Sequence, residues 1–109
     1  MSDSVARPTV RIGIAQTNPV IGDVAGNVER VAELVAQAVA QGAQLVVLPE
    51  LMTTGYVFDD KAELFGILAN GDGLAELAEL SRAHSIVLVA GVALRRDHDA
   101  LNCAVLVDS

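Results

Sequence analysis

The stretch QLVVLPELMTTGY, residues 44–56, joins an apolar run to a proline and a carboxylate, Glu50. The four residues before Pro49 are all apolar, which is typical of a strand buried on both faces. Glu50 follows directly, at the end of that strand. A charge at a strand tip is readily solvated, but α/β enzymes also place catalytic groups there. The stretch alone leaves both interpretations of Glu50 open.

Upstream of this strand, the sequence predicts another strand and then a helix. TVRIGIAQ, residues 9–16, alternates its apolar residues with the period of a strand. From Val24 to Gln41 the apolar residues repeat with helical spacing. Asp23 is expected to be the N-cap of this helix, and Gly42 stands where a helix end favours a left-handed residue.

Downstream of the opening stretch, two helices and two more strands are predicted. Helical patterns run over Asp60–Leu68 and Leu74–His84, separated by the breaker ANGDG. SIVLVAGVAL (85–94) and LNCAVLVD (101–108) follow as strands, and the polar joint RRDHDA between them suits an antiparallel hairpin. The order β-α-β-α-α-β-β predicts an α/β fold with a mixed sheet whose first strands are parallel.

The predicted sheet has more apolar surface than these helices can cover. Its second, third and fourth strands are apolar at nearly every position, so both faces need cover. With helices on one face, on the order of ten apolar side chains would meet water, at roughly 1.5–3 kcal/mol each. That total matches or exceeds the ~5–15 kcal/mol net stability of a typical domain. We therefore expect residues 9–109 to be the truncated N-terminal portion of a larger domain, and residues 1–8 to be a flexible arm.

Composition and charge argue against several classes of partner. Hydrophobic residues make up 52% of the 109 residues, and the formal net charge is −7. The seven basic residues form no patch that could neutralise phosphates, which argues against nucleic acid and anionic membranes as partners. The apolar runs are too short to span a bilayer, and the N-terminus lacks the pattern of a signal peptide. A single cysteine, Cys103, fits a reducing compartment, so we expect a cytoplasmic protein.

Three blocks of the sequence resemble successive N-terminal blocks of the nitrilase, or carbon–nitrogen hydrolase, superfamily. They are RIGIAQTNPVIGDVAGNVERV, GAQLVVLPELMTTGY and VLVAGVALR with LNCAVLVD, and together they cover nearly all of residues 9–108. The individual matches are Gln16, Gly22, Asp23, Asn27, Gly42, Ala43, Pro49, Glu50, Gly55, Tyr56, Ala90, Gly91 and Asn102. The resemblance implies an α-β-β-α sandwich, of which this chain would form the N-terminal half with its helices on one face.

The resemblance also implies a reaction. Members of the superfamily hydrolyse non-peptide carbon–nitrogen bonds with a Glu-Lys-Cys triad, in which a cysteine thiolate attacks the carbon and forms a covalent intermediate. Glu50 matches the general base, and a lysine would stabilise the oxyanion. The implied substrate is a small linear amide, carbamoyl compound or nitrile, and ELMTTGYVFDD resembles most the amidase and carbamoylase branches. Tyr56 is a candidate pocket residue, with packing as the alternative, and the full-length protein is expected to be a homo-oligomer without a cofactor.

The sequence departs from the family pattern at the other two triad positions. The family's lysine and cysteine lie further downstream than any residue present here. Lys61 stands in FDDKAEL, a polar helix start, and is interpreted as a solvated side chain. Cys103 lies inside the apolar strand NCAVLV, where a thiol is unreactive. We therefore expect no Glu50-Lys61-Cys103 triad, and no hydrolysis by the 109 residues alone.

The sequence gives little support for a metal site or a nucleotide site. His98 lies in DHD at the predicted hairpin tip and His84 at a helix end, and neither has a second cluster of ligands, so no metal is predicted. No G-x-G-x-x-G or P-loop follows the first strand, which disfavours nucleotide binding. Two alternatives remain open: the glutaminase portion of an ammonia-channelling synthetase, and a non-catalytic α/β module or inactive fragment.

Overall fold

The computed structural model describes residues 7–55 and 58–108, which form a four-stranded sheet with three helices. The strands are β1 (Ile12–Ile14), β2 (Leu45–Val47), β3 (Val87–Arg96) and β4 (Asp99–Val107), and the helices are α1 (Val24–Ala40), α2 (Lys61–Leu68) and α3 (Leu74–His84). Their order along the chain confirms the predicted β-α-β-α-α-β-β. Most of the predicted arm, residues 1–6, lies outside the described residues.

The helices begin where the sequence places their caps. The Asp23 carboxylate accepts a hydrogen bond from the Gly26 N–H at 3.1 Å and starts α1. The Asp60 carboxylate accepts one from the Glu63 N–H at 2.9 Å and starts α2 in the same way. At the other end of α1, Gly42 adopts a left-handed φ of 92°, as predicted from its position.

The strands lie in the order β1-β2-β3-β4 in one mixed sheet. β1, β2 and β3 are mutually parallel, and β4 runs antiparallel to β3. The hairpin between β3 and β4 is tighter than predicted, because Arg96 pairs with Asp99 and leaves only two residues in the turn. Asp97 takes the left-handed conformation there, with φ 54°, which aspartate tolerates.

The first two strands are shorter than their apolar patterns suggest. β1 begins at Ile12, because the Arg11 N–H is bonded to the Gln44 side chain at 3.1 Å instead of to strand backbone. β2 ends at Val47, although the Leu48 N–H still donates to the Val89 carbonyl at 2.7 Å. The chain leaves regular pairing just beyond, at Glu50.

One face of the sheet is covered by helices. Val31 and Val35 of α1 and Leu77 of α3 are fully buried against Val46 of β2 and Leu88 of β3. Burial of these aliphatic side chains supplies the core, since the chain has few aromatic residues. The prediction of helices on one face is therefore confirmed for α1 and α3.

Among the described residues, the opposite face of the sheet is open at its two edges, although Ala93 of β3 on this face is buried. The register sets Ile14, Val47, Val89 and Leu106 side by side, in one apolar row across all four strands. The two ends of the row are exposed, Ile14 to 74% and Leu106 to 67%. We call these four residues the apolar row. Its exposure agrees with the expectation that this face needs a cover.

The helices are shorter or less apolar than a membrane span requires in the part of the chain that the structure describes. Within residues 7–55 and 58–108, no helix combines the length and the hydropathy needed to cross a bilayer. The longest, α1, has 17 residues and an amphipathic pattern.

Candidate active site

Glu50 lies on a backbone bulge that is held from both sides by one residue of β3. The Gly91 N–H donates to the Pro49 carbonyl at 3.2 Å, and the Gly91 carbonyl accepts from the Met52 N–H at 2.9 Å. Glu50 and Leu51 lie between these two bonds and are displaced from the ladder. A bulge of this kind redirects a side chain at the end of a strand.

The bulge depends on an unusual conformation and on a close approach. Leu51 has a left-handed φ of 47°, which costs a non-glycine residue on the order of 1–2 kcal/mol. A Cβ atom added at Gly91 would lie 2.5 Å from the Glu50 Cα, and 3.0 Å from the Leu51 nitrogen. Both contacts are with backbone, so only glycine allows the bulge to rest directly on β3.

The carboxylate of Glu50 is held by an amide from β4. The Asn102 Nδ2 donates a hydrogen bond to the Glu50 Oε1 at 2.5 Å. The Oε2 atom accepts no hydrogen bond from residues 7–55 or 58–108. Glu50 borders a hollow of about 420 Å³ on the open sheet face. The residues lining it are Val47, Leu48, Glu50, Val89, Ala90, Gly91, Asn102, Cys103 and Ala104.

A buried asparagine fixes the turn that follows Glu50. Asn27, only 2% exposed, donates from Nδ2 to the carbonyls of Val20 and Thr53, both at 2.8 Å. Its Oδ1 accepts from the Val20 N–H at 2.8 Å and from Arg30 at 2.6 Å. The Gly22 N–H adds a bond to the Thr54 carbonyl at 3.0 Å. These bonds tie the loop before α1 to the turn that carries the candidate base.

The structure does not bring Lys61 or Cys103 to Glu50. The Lys61 ammonium lies at the hairpin tip, 3.1 Å from the His98 carbonyl and 3.3 Å from the Asp99 carboxylate. Cys103 contributes to the lining of the hollow beside Glu50, but its side chain packs against the core, since neighbouring residues of a strand point to opposite faces and Asn102 takes the other one. The described contacts therefore give Glu50 neither a lysine nor a thiol as a partner.

The remaining sequence candidates are not gathered into a site. Within the described ranges, no three side chains among His, Cys, Asp and Glu are grouped closely enough to hold a metal ion. Tyr56, the candidate pocket residue, lies outside the described residues.

Sequence reasoning named Gly91 and Asn102 as family matches but assigned neither a contact. A glycine inside an apolar strand often marks a close backbone approach, and that signal was present in VAGVAL. Asn102 alternates with Cys103 in LNCAVLVD, which puts a polar side chain on a face that is otherwise apolar. These signals marked Gly91 and Asn102 as unusual positions, but neither signal identified Glu50 as the contact.

The arrangement is suited to accepting a proton. A carboxylate that is held by an amide at one oxygen and borders a hollow can act as a general base for a group placed there. The described residues hold the carboxylate but place no nucleophile against it. The geometry of the described residues therefore supports one candidate catalytic group, the Glu50 carboxylate.

Comparison of the sequence with known proteins identifies the family of this chain. The family model for Carbon-nitrogen hydrolase matches residues 11–109. A nitrilase from Pyrococcus abyssi is 39% identical over 102 residues, which are 90% of this chain and 38% of that protein. A glutamine-dependent NAD(+) synthetase from Thermotoga maritima is 32% identical over 99 residues, which are 90% of this chain and 17% of that protein.

The fold gives the same result. The crystal structure of an amidase from Nesterenkonia sp. superposes with a TM-score of 0.76 and 27% identity, covering 99% of this chain and 42% of that one. The chain thus spans less than half the length of each of these three proteins. With a family model that matches almost all of its residues, the chain belongs to the carbon–nitrogen hydrolase family.

Proposed function

We propose that this chain supplies Glu50 as the general base of a hydrolase that cleaves a non-peptide carbon–nitrogen bond. The substrate would be a small linear amide, carbamoyl compound or nitrile. The observation that carries the proposal is the bulge on Gly91, which holds the Glu50 carboxylate beside the hollow on the sheet, with Oε2 accepting no hydrogen bond from the part of the chain that the structure describes. Family membership supports the reaction class.

In this proposal Glu50 moves protons for a cysteine nucleophile. With an amide or carbamoyl substrate, Oε2 takes the thiol proton while sulfur bonds to the carbonyl carbon, and the same proton passes to nitrogen as the carbon–nitrogen bond breaks and the amine departs. With a nitrile, the proton goes to nitrogen to give a thioimidate, and addition of one water with loss of ammonia leads to the same thioester. Water, deprotonated by Glu50, next cleaves the thioester, which releases the acid and returns the thiol. A lysine ammonium would stabilise the negative oxygen of each tetrahedral intermediate.

The lysine and the cysteine of this mechanism would come from polypeptide outside the described residues. Lys61 is paired at the hairpin tip, and Cys103 faces the core. We therefore propose that the 109 residues alone do not turn over amides or nitriles. We also propose that the native-length protein is cytoplasmic and forms a homo-oligomer. Sedimentation of the native-length protein tests the oligomeric state.

A second candidate function is supported by one of the relatives. The Thermotoga maritima NAD(+) synthetase, described as glutamine-dependent, matches 90% of this chain. In this alternative, the chain belongs to a glutaminase portion that releases ammonia for a synthetase. Glutamine as the preferred substrate, over aliphatic amides and nitriles, would favour this function over the first.

The test compares two glutamate variants in the native-length protein, meaning the gene product with whatever sequence adjoins residues 1–109. Ammonia release is measured with acetamide, propionitrile, a carbamoyl amino acid and glutamine. Glu50→Gln should lower kcat by about 10²–10⁴-fold, since general base catalysis contributes that much. Glu33→Gln, an exposed glutamate on α1, is the matched control and should leave kcat unchanged.

Two results would contradict the proposal. One is a Glu50→Gln variant that keeps more than half of the wild-type kcat. The other is amide turnover by the 109 residues alone that depends on a thiol and is abolished by Cys103→Ala. That result would identify Cys103 as the nucleophile.

A further inference from the structure

We propose that Asn102 is the positioning residue for Glu50, and that its amide selects Oε2 as the oxygen that exchanges protons. The inference rests on the proposed function of Glu50 as a base. It goes beyond that function because it assigns a role to a side chain on a different strand.

The register of the sheet explains how the two side chains meet. Asn102 of β4 is paired with Ala93 of β3, and Gly91 lies two residues away on the same face. The bulge with Glu50 rests on Gly91, so the carboxylate and the amide are diagonal neighbours across β3 and β4. A side chain of ordinary length reaches across such a diagonal. The contact therefore follows from backbone geometry and does not depend on a loop.

The chemistry of the pair fixes which oxygen remains available. An ionised carboxylate only accepts hydrogen bonds, so the NH₂ group of Asn102 must face it. The bond at 2.5 Å takes one acceptor site of Oε1, whereas Oε2 accepts no hydrogen bond from residues 7–55 or 58–108, so Oε2 is the more accessible oxygen for the proton. Because the amide is neutral and does not titrate, it can hold Glu50 both before and after proton transfer. An arginine or lysine at this position would bind the carboxylate as an ion pair and weaken it as a base.

The bond also restricts a side chain that would otherwise be mobile. Gly91 fixes the Glu50 backbone, but the side chain keeps three rotatable bonds beyond it. Among residues 7–55 and 58–108, Asn102 makes the hydrogen bond that orients the carboxylate. A displacement of about 1 Å at a catalytic group can cost on the order of 10²-fold in rate. Loss of the amide should therefore lower kcat and leave KM nearly unchanged.

Three substitutions in the native-length protein test the role. Asn102→Leu removes the donor at similar size, and Asn102→Asp keeps the shape but sets a like charge against Glu50. We expect kcat to fall by about 10–100-fold for the first and further for the second. Asn102→Gln keeps the NH₂ donor and should recover part of the loss. Asp99→Asn, on the same strand at the hairpin tip, is the control and should keep the wild-type kcat.

A spectroscopic measurement separates this inference from the function it rests on. In ¹⁵N-labelled native-length protein, Glu50→Gln should shift the side-chain amide signals of Asn102, whereas Glu33→Gln should not. Unmoved signals would overturn the contact itself, whatever the kinetics show.

The kinetic results also separate a wrong positioning role for Asn102 from a wrong assignment of Glu50 as the base. If Glu50→Gln is inactive while Asn102→Leu keeps the wild-type kcat, the proposed base stands and the positioning role is wrong. If Glu50→Gln is fully active, or no probe releases ammonia, the proposed function fails and this inference fails with it. Equal losses in Asn102→Leu and Asn102→Gln would indicate a structural role only.

Discussion

Replacing Gly91 with alanine should displace the bulge that carries Glu50. The new Cβ would lie 2.5 Å from the Glu50 Cα, and 3.0 Å from both the Leu51 nitrogen and the Pro49 oxygen. Real Cβ atoms do not approach backbone so closely, and no flexible side chain is available to move aside. The bulge must therefore lift from β3.

The size of the effect follows from the bonds that lifting would break. Gly91 makes hydrogen bonds to Pro49 at 3.2 Å and from Met52 at 2.9 Å. Each is worth roughly 0.5–1.5 kcal/mol net, and more if a buried partner is left unpaired. We expect Gly91→Ala to lower the free energy of unfolding by about 2–4 kcal/mol, a large part of the ~5–15 kcal/mol typical of a domain.

Urea unfolding of the native-length protein measures this loss, and a second glycine provides the control. Gly66 lies within α2, and a Cβ added there would meet nothing within 4 Å. Gly66→Ala should therefore raise the free energy of unfolding by about 0.5–1 kcal/mol, as expected for a helix interior. The reasoning is refuted if both variants change stability in the same direction, or if Gly91→Ala unfolds within about 0.5 kcal/mol of wild type.

Two more predictions concern the Asn27 clamp, meaning the hydrogen bonds by which Asn27 ties Val20 to Thr53, and the apolar row. Asn27→Leu should lower the free energy of unfolding by about 3 kcal/mol in urea denaturation, because the Val20 and Thr53 backbone groups would lose buried partners. An unchanged midpoint would contradict it. In the 109 residues alone, we expect self-association through the apolar row. Ile14→Lys combined with Leu106→Lys should reduce both sedimentation mass and binding of an apolar dye, and a wild-type chain that sediments as a dye-free monomer would count against this.

The elements that could be predicted from the sequence are those set by local chemistry. α1 was expected from Val24 to Gln41 and runs from Val24 to Ala40, because a carboxylate cap and a terminal glycine act within one turn of the helix. The open face was predictable for a different reason. Strands that are apolar at every position need cover on both faces, and the helices suffice for one.

The features that could not be predicted depend on contacts between distant segments. A leucine in a sequence does not indicate a left-handed conformation. The bulge at Leu51 could therefore be recognised only from its contacts with β3 in the structure. The bond from Asn102 to Glu50 joins residues 52 positions apart. Its existence depends on the register of β4, which is fixed by a turn two residues long instead of the six that the polar joint suggested.

The geometry of the candidate base and the cover of the sheet are physically linked. The bulge, the Asn27 clamp and the Asn102 amide hold Glu50 with contacts from this chain alone. The carboxylate is nevertheless exposed, and a hydrogen bond in contact with water contributes little net free energy. Polypeptide packed on the apolar row would exclude water from the same face, and it would strengthen the bond from Asn102 by lowering the local dielectric constant. We therefore expect substitution of Asn102 to matter far more in the native-length protein than in the 109 residues by themselves.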